Sequence, residues 1–292
     1  MKEMLRKLAE TYPQLNIAPG PGGTEKYRDA VLRGIRPPED LSHFTGSDRD
    51  CCTLEHTPAG DVWAVTLGKR KDFETFLKIM CWRCEDVEIP ETQGAVHVSG
   101  IINRGKVDDF IAGWHAAHPD PAPGEWQAAF QAFQADKAAY TETLIILSTG
   151  PYSAVPAAAA GLSEAAWLEK SLTIRKTHEC THYLCRRLYP EQKEAVWDEL
   201  VADAAGLFAA FGRYDPQLAE RVLGIRDGEW IGGRLSIYTE TPEALARRIH
   251  GLLPRFAEAA AGAADAYSLA EALEKRQAEW SGAIHVEISE GL

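Results

Sequence analysis

The chain lacks the long apolar runs that membrane proteins need. No stretch of its 292 residues approaches the roughly 18 consecutive apolar residues required to cross a bilayer. The opening segment, Met1–Arg6, is not followed by the apolar core of a signal peptide. We therefore expect a protein that has no membrane partner and is located in the cytoplasm.

Positive charge is also scarce. Lysine and arginine total 31 against 43 aspartates and glutamates, which gives a formal net charge of −12. Basic residues cluster only in short groups such as Lys69–Lys71 and Arg186–Arg187. Because nucleic-acid binding needs an extended basic surface, we expect no nucleic-acid partner.

Cysteine pairs at metal-binding spacing are nearly absent. Of the six cysteines, only Cys81 and Cys84 have C-x-x-C spacing. The adjacent residues Cys51 and Cys52 would rarely turn both thiols toward one ion. Without a secretory signal, reduced and buried thiols are expected. The sequence leaves open whether these four cysteines bind anything.

The chain does contain a change from mixed to helical patterning near residue 150. Residues 1–150 combine helical and strand patterns and form an N-terminal α+β portion, whereas residues 151–292 are dominated by helical patterns. An alanine-rich segment punctuated by proline, Pro151–Gly161, follows the boundary. The predicted fold class is therefore helix-rich α+β, with two portions that could also form one continuous domain.

The individual elements follow from apolar periodicity. Helices are predicted over residues 2–11, 24–34, 71–82, 108–117, 125–147, 163–189, 191–212, 241–261 and 268–281. Strands are predicted over residues 61–67, 94–100 and 284–288.

The most informative feature is an H-E-x-x-H motif, His178-Glu179-Cys180-Thr181-His182, inside the predicted helix 163–189. Residues four apart share a helix face, so His178 and His182 can bind one metal ion. Glu179 lies on the flank of that face, where its carboxylate can reach a metal-bound water. Chance alone would give this motif in about one shuffled chain in fifty, so the motif needs support from the neighbouring sequence.

The next predicted helix supplies two more groups at matching heights. Pro190 separates the two helices, which should pack as an antiparallel hairpin. From His182 the chain descends roughly 12 Å to Pro190, and it climbs roughly 13 Å from there to Glu199. Glu199 therefore returns to the level of His182 as a third ligand. Asp203 returns to the level of His178, where it can accept a hydrogen bond from a ligating histidine.

An H-E-x-x-H motif followed by E-x-x-x-D on the next helix resembles the gluzincin metallopeptidases, the thermolysin-like branch of the zincins. The resemblance covers about 26 residues, from His178 to Asp203. It implies a zincin-like fold, one Zn²⁺ ion held by His178, His182 and Glu199, and Glu179 as general base. It also implies a supporting role for Asp203 and a peptide or small amide substrate. The sequence of these segments also resembles that of uncharacterised bacterial proteins, and this likeness does not identify a substrate.

Such an enzyme also needs a donor for the oxyanion that develops during hydrolysis. In the gluzincins this is a histidine or tyrosine downstream of the third ligand. The candidates here are Tyr214, Arg234, Tyr238 and His250. For the segment from Gly232 to Tyr238, the plainer interpretation is a glycine turn that leads to a buried tyrosine and a salt-bridged arginine.

The sequence thus predicts a zinc-dependent hydrolase, foremost a metallopeptidase. One alternative is a metal-dependent amidase or esterase acting on a small substrate. Another is a non-catalytic binding or scaffold protein that the ion stabilises. The substrate, native metal and oligomeric state stay open. So does the presence of a substrate-binding edge strand, because the nearest predicted strand, 94–100, precedes His178 by about 80 residues.

Overall fold

The computed structural model describes residues 2–191, 194–280 and 282. The fold is α+β and helix-rich, with 57% helix and a small mixed sheet, which confirms the predicted class at that level. No helix within the described residues is both long and apolar enough to cross a membrane. The strand predicted over 284–288 lies outside the described residues.

The chain divides into two compact units. The first consists of Met1–Thr53, Trp63–Ile89 and Val98–Ile146. The second consists of Leu54–Val62, Pro90–His97 and Leu147–Leu292. The division into portions 1–150 and 151–292 stays a prediction.

The first unit has five α-helices and a core of fully buried aliphatic and aromatic side chains, among them Leu5, Leu15, Phe73 and Phe76. The helices are α1 (Glu3–Thr11), α2 (Gly23–Arg28), α3 (Arg70–Met80), α4 (Arg104–Ala117) and α5 (Glu125–Ala135). A π-helical turn, Asp29–Arg33, continues α2. The predicted helices 2–11, 24–34, 71–82 and 108–117 are confirmed with shifted ends.

The main sheet has four strands in the order β1-β2-β4-β3. They are β1 (Cys51–Thr57), β2 (Gly60–Leu67), β3 (Ala95–Ile102) and β4 (Thr141–Ser148). Backbone bonds join Ser148 to Gly94 at one end of β3–β4 and Asn103 to Tyr140 at the other, so these two strands run antiparallel.

The helix predicted over 125–147 is wrong. Its second half is strand β4, because α5 ends at Ala135. The four residues Leu144–Leu147 are at most 1% exposed. A strand buried on both faces shows a continuous apolar run without alternation, and such a run is easily read as helix. Strand β1 was not predicted, because its exposed, polar sequence carries no apolar pattern. Strand β4 ends at Ser148 and is therefore much nearer to His178 along the sequence than the predicted strand 94–100.

The second unit is mainly helical and is built around Trp167, Trp197, Phe256 and Leu269. Its helices are α6 (Glu164–Leu188), α7 (Ala195–Phe211), α8 (Pro216–Leu223), α9 (Pro242–Ala261), α10 (Ala266–Glu274) and α11 (Gln277–Trp280). A two-stranded ribbon, β5 (Ile225–Arg226) and β6 (Glu229–Trp230), follows α8. The predicted helices 163–189, 191–212 and 241–261 are confirmed as α6, α7 and α9. The one over 268–281 corresponds to α10 and α11, and α8 was not predicted.

Helices α6 and α7 form the predicted antiparallel hairpin. Successive contacts move down α7 as they move up α6: Lys170 with Ala210, Ile174 with Gly206, His178 with Asp203, and His182 with Glu199. A side chain at Gly206 would meet the carbonyl oxygen of Ile174 at 2.7 Å. Glycine there and buried alanines beside it therefore let the helices approach closely, since the distance between helix axes depends on the contacting side chains.

Candidate metal centre

The histidine-bearing part of α6 is buried against α7. Ser163 caps the start of α6 by accepting a hydrogen bond from the backbone of Ala166. Three polar residues of the motif have little exposure: 6% for His178, 8% for Glu179 and 5% for His182. Because burying polar groups is costly, each of them requires a partner.

His178, His182 and Glu199 converge on one point. Their ligand atoms all lie within 4.8 Å of one another, and in the described part of the chain no other three histidine, cysteine, aspartate or glutamate residues converge in this way. The two Nε2 atoms are 2.9 Å apart. Glu199 places one carboxylate oxygen 3.5 Å from Nε2 of His178 and the other 3.6 Å from Nε2 of His182. Two imidazoles and a carboxylate are a donor set that zinc accepts.

The other nitrogen of each ring faces a carboxylate of α7. Nδ1 of His178 lies 3.0 Å from an oxygen of Asp203, which is only 2% exposed. Nδ1 of His182 lies 2.9 Å from an oxygen of Asp198. A carboxylate at Nδ1 favours a proton on that nitrogen, so Nε2 is the nitrogen of each ring that can bind a metal ion at the convergence point.

The acid–base properties of the two histidines are unequal. Burial, with His182 nearby, lowers the pKa of His178 well below its usual value. Burial also disfavours the charged form of His182, but Asp198 and the neighbouring glutamates outweigh it and raise its pKa to about 9. Without a metal, a protonated His182 therefore donates its Nε2–H to His178. A divalent cation fits the same place, because it can replace this shared proton and satisfy both lone pairs.

The two glutamates also differ. Burial opposes ionisation of Glu199, but His178, His182 and Arg234 together hold its pKa below the usual value. The ionised form of Glu199 is therefore favoured, and this is the form in which a carboxylate binds a metal. Burial raises the pKa of Glu179 to about 7, and the charge of Glu199 adds to this. A carboxylate with a pKa near neutrality suits a group that must both accept and return a proton.

Two of the four candidate oxyanion donors lie at the cluster. Arg234 forms an ion pair with Asp203, and its Nη1 is 3.7 Å from Glu199. Burial raises the pKa of Tyr238 to about 12, and the charge of the nearby Glu199 adds to this. Both candidates belong to a short segment that begins at Gly232 and Gly233, which adopt positive φ angles of 106° and 130°. The expected glycine turn thus brings both side chains near the candidate ligand Glu199. Arg234 is salt-bridged as the plainer interpretation predicted, but Tyr238 is half-buried rather than buried.

The structure places the other two candidates elsewhere. Tyr214 is buried in the hydrophobic core, with its ring 6.2 Å from that of Phe256. His250 is paired through Nδ1 with Glu220 at 2.5 Å. The only reason to consider these two residues was their position downstream of Glu199, which does not show where their side chains point.

Sequence reasoning missed two groups that contact the histidines. Asp198 precedes Glu199, and the height argument that located Glu199 would also have located it. Tyr152 lies in the segment before α6, and its hydroxyl is 2.9 Å from Nδ1 of His178. No spacing rule predicts Tyr152, because a loop brings it there.

The cysteines do not extend this centre. Cys84, Cys180 and Cys185 are buried, as expected of packing thiols, whereas Cys51 is exposed. Burial raises the pKa of Cys84 and Cys180 to about 12, which disfavours the thiolate form that binds metals.

Comparison with known proteins places the chain in a family without giving it an activity. No curated protein and no solved structure matches it. One family profile, described as a family of unknown function (DUF7005), matches residues 2–285. Because that match covers nearly the whole sequence, the chain belongs to the DUF7005 family.

Proposed function

We propose that this protein is a zinc-dependent hydrolase of the gluzincin type, and that it acts on peptide bonds. The observation that carries the proposal is the convergence of His178, His182 and Glu199, with a carboxylate behind each histidine. Glu179, buried beside them with its pKa raised to about 7, supplies the acid–base group that a purely structural site would not need.

His178, His182 and Glu199 would hold the ion. When bound, zinc supplies Lewis acidity, which lowers the pKa of water and polarises a carbonyl group. Glu179 accepts the proton of the attacking water and returns it to the leaving nitrogen. Arg234 and Tyr238 offer N–H and O–H groups beside Glu199, where they can stabilise negative charge that develops on the substrate oxygen.

A zincin-like arrangement of sheet and helix is part of this proposal. The metal-bearing helix α6 contacts the beginning of the edge strand β3: Arg186 donates to His97 at 2.8 Å, and Arg175 packs against Gly94. An edge strand beside the site can hold an extended peptide through main-chain hydrogen bonds. These contacts support a peptide substrate over a small amide or ester.

The test compares Glu179→Gln with the wild type on a library of quenched fluorescent peptides, with zinc supplied. Glu169→Gln is the matched control, because Glu169 is an exposed residue of the same helix. We expect wild type and control to cleave peptides, and Glu179→Gln to bind zinc but lose at least a hundredfold in rate, the usual scale of general-base catalysis. An active Glu179→Gln protein would refute the mechanism.

A second measurement separates enzyme from scaffold. A catalytic site keeps an open coordination position and binds a hydroxamate, whereas a closed structural site does not. Zinc-loaded protein that neither binds acetohydroxamate nor cleaves any peptide or small ester would favour the scaffold. Cleavage of esters alone would favour the small-substrate enzyme.

A further inference from the structure

The segment between β4 and α6 has an unusual backbone. It contains a short 3₁₀ turn, Tyr152–Ala154, in which Ser153 and Ala154 adopt φ angles of 49° and 56°. Residues with a side chain rarely occupy this left-handed region, and two in succession persist only where surrounding contacts impose them. The contacts around this turn therefore indicate what it is for.

Two buried residues of α6 hold the turn. Arg175, which is 4% exposed, donates to the carbonyl oxygens of Ser148, Gly150 and Pro151 at 2.9, 3.1 and 3.1 Å. The Ser171 hydroxyl accepts a hydrogen bond from the backbone N–H of Tyr152 at 2.9 Å. Ser171 and Arg175 lie seven and three residues before His178, so helical spacing places all three on one face. The helix that carries the metal ligands also fixes this segment.

The result of this clamp is the position of the Tyr152 hydroxyl. It lies 2.6 Å from an oxygen of Asp203 and 2.9 Å from Nδ1 of His178, and the residue is only 5% exposed. A hydroxyl has one proton, and a carboxylate can only accept, so the proton of Tyr152 is directed to Asp203. Toward His178 the tyrosine therefore presents a lone pair.

Nδ1 of His178 thus faces two acceptors, the Asp203 carboxylate and the Tyr152 oxygen. It must carry a proton to satisfy either of them, and this leaves Nε2 unprotonated toward Glu199 and His182. Asp203 alone would favour this tautomer. Tyr152 adds a second constraint on the same ring and, by giving its proton to Asp203, restricts how that carboxylate can rotate.

We propose that Tyr152 is a positioning residue of the metal centre, which holds the His178 ring in the tautomer and orientation that bind metal. The proposal rests on the metal site of the proposed function but not on hydrolysis. Arg175 and Ser171 contribute by holding the strained turn, and Asp203 is the shared acceptor.

The test is zinc affinity, measured by competition with a chromophoric chelator, for Tyr152→Phe against Tyr214→Phe. Both variants remove one buried hydroxyl and keep the ring. Partners of ligating histidines are typically worth 10- to 100-fold in metal affinity. We expect about a tenfold loss for Tyr152→Phe, a loss nearer a hundredfold for Asp203→Asn, and no change for Tyr214→Phe. With Co²⁺ in place of zinc, Tyr152→Phe should also shift the visible absorption bands, which a distant packing defect would not do.

Each outcome decides something. Wild-type affinity and spectrum in Tyr152→Phe would overturn the proposal while leaving the metal site intact. A wild-type protein that binds zinc but hydrolyses nothing would refute the proposed function and leave this inference unaffected. Wild-type protein that binds no zinc would remove both. Should Tyr152→Phe fail to fold, Ser171→Ala takes its place, because it removes the hydroxyl that holds the backbone N–H of Tyr152. A loss of zinc affinity with a shifted Co²⁺ spectrum is expected, and wild-type affinity and spectrum would overturn the proposal.

Discussion

The second unit pairs histidine with a carboxylate in two different regions, and only one of them brings three candidate metal ligands together. The first region, the ribbon region, comprises α8, the β5–β6 ribbon and α9. There, Nδ1 of His250 is 2.5 Å from Glu220, which also accepts hydrogen bonds from the backbone N–H groups of Asp227 and Gly228. In the α6–α7 hairpin, Nδ1 of His178 is paired with Asp203 and Nδ1 of His182 with Asp198.

The two regions differ in the surroundings of the outer ring nitrogen, Nε2, which is the one not paired with a carboxylate. The His250 side chain is 54% exposed, so its ring is largely open to solvent. The outer nitrogens of His178 and His182 are buried, 2.9 Å apart, and both face Glu199. A histidine–carboxylate pair is therefore common structural chemistry. The convergence of three ligand residues in a buried place is the observation that supports a metal site.

The largest expected effect is the loss of zinc affinity when a candidate ligand of the hairpin is removed. Glu199→Ala should weaken zinc binding by roughly a hundredfold to several hundredfold, because the roughly 10–16 kcal/mol of a structural zinc site is shared among about four ligands. His250→Ala should leave the affinity unchanged. Chelator competition measures both. Equal zinc affinities in Glu199→Ala and His250→Ala would show that the two regions do not differ in metal binding.

The next effect concerns stability on metal removal. Zinc at a thousandfold excess over its Kd should raise the apparent free energy of unfolding by about 4 kcal/mol, because it binds the folded chain alone. His178→Ala should gain almost nothing. Scanning calorimetry with and without zinc tests this, and an equal gain in both proteins would place the ion elsewhere.

A smaller effect is the pH dependence of binding. The raised pKa of His182, about 9, means that this ring is protonated at pH 7 without metal and must lose that proton when zinc binds. Zinc binding near pH 7 should release about one proton, and affinity should rise by up to about tenfold per pH unit toward pH 9. Titration calorimetry in two buffers of different ionisation enthalpy reports the release. An affinity that falls as the pH rises would contradict the assignment.

The smallest effect lies in the ribbon region. Glu220→Gln removes a charged acceptor for two backbone amides and His250 and should cost about 1–3 kcal/mol in unfolding free energy. Zinc affinity should be unaffected. Urea denaturation combined with the competition assay checks both parts, and a change in affinity would show that the regions are coupled.

The sequence was sufficient where regular geometry acts alone. The spacing of His178 and His182 and the matched heights of Glu199 and Asp203 follow from the helical rise, and the structure brings these residues together. This holds although α7 begins at Ala195, later than the predicted start at residue 191. Regular helices keep the register even when a turn is misjudged.

Prediction was insufficient where tertiary packing decides the outcome. Strand β4 was mistaken for helix because a doubly buried strand has no polar face. Tyr152 was missed because a strained turn held by Arg175 brings it to His178. Among the candidate oxyanion donors, only the path of the loop after Gly233 separates Arg234 and Tyr238 from Tyr214 and His250.

We propose above all that the α6–α7 hairpin binds one zinc ion through two histidines and Glu199. The most direct test is metal analysis by mass spectrometry after equilibrium dialysis against zinc, for wild type, His182→Ala and His250→Ala. We predict one ion per chain for wild type and His250→Ala, and essentially none for His182→Ala. A wild-type chain without zinc, or a His182→Ala chain that retains it, would contradict the account.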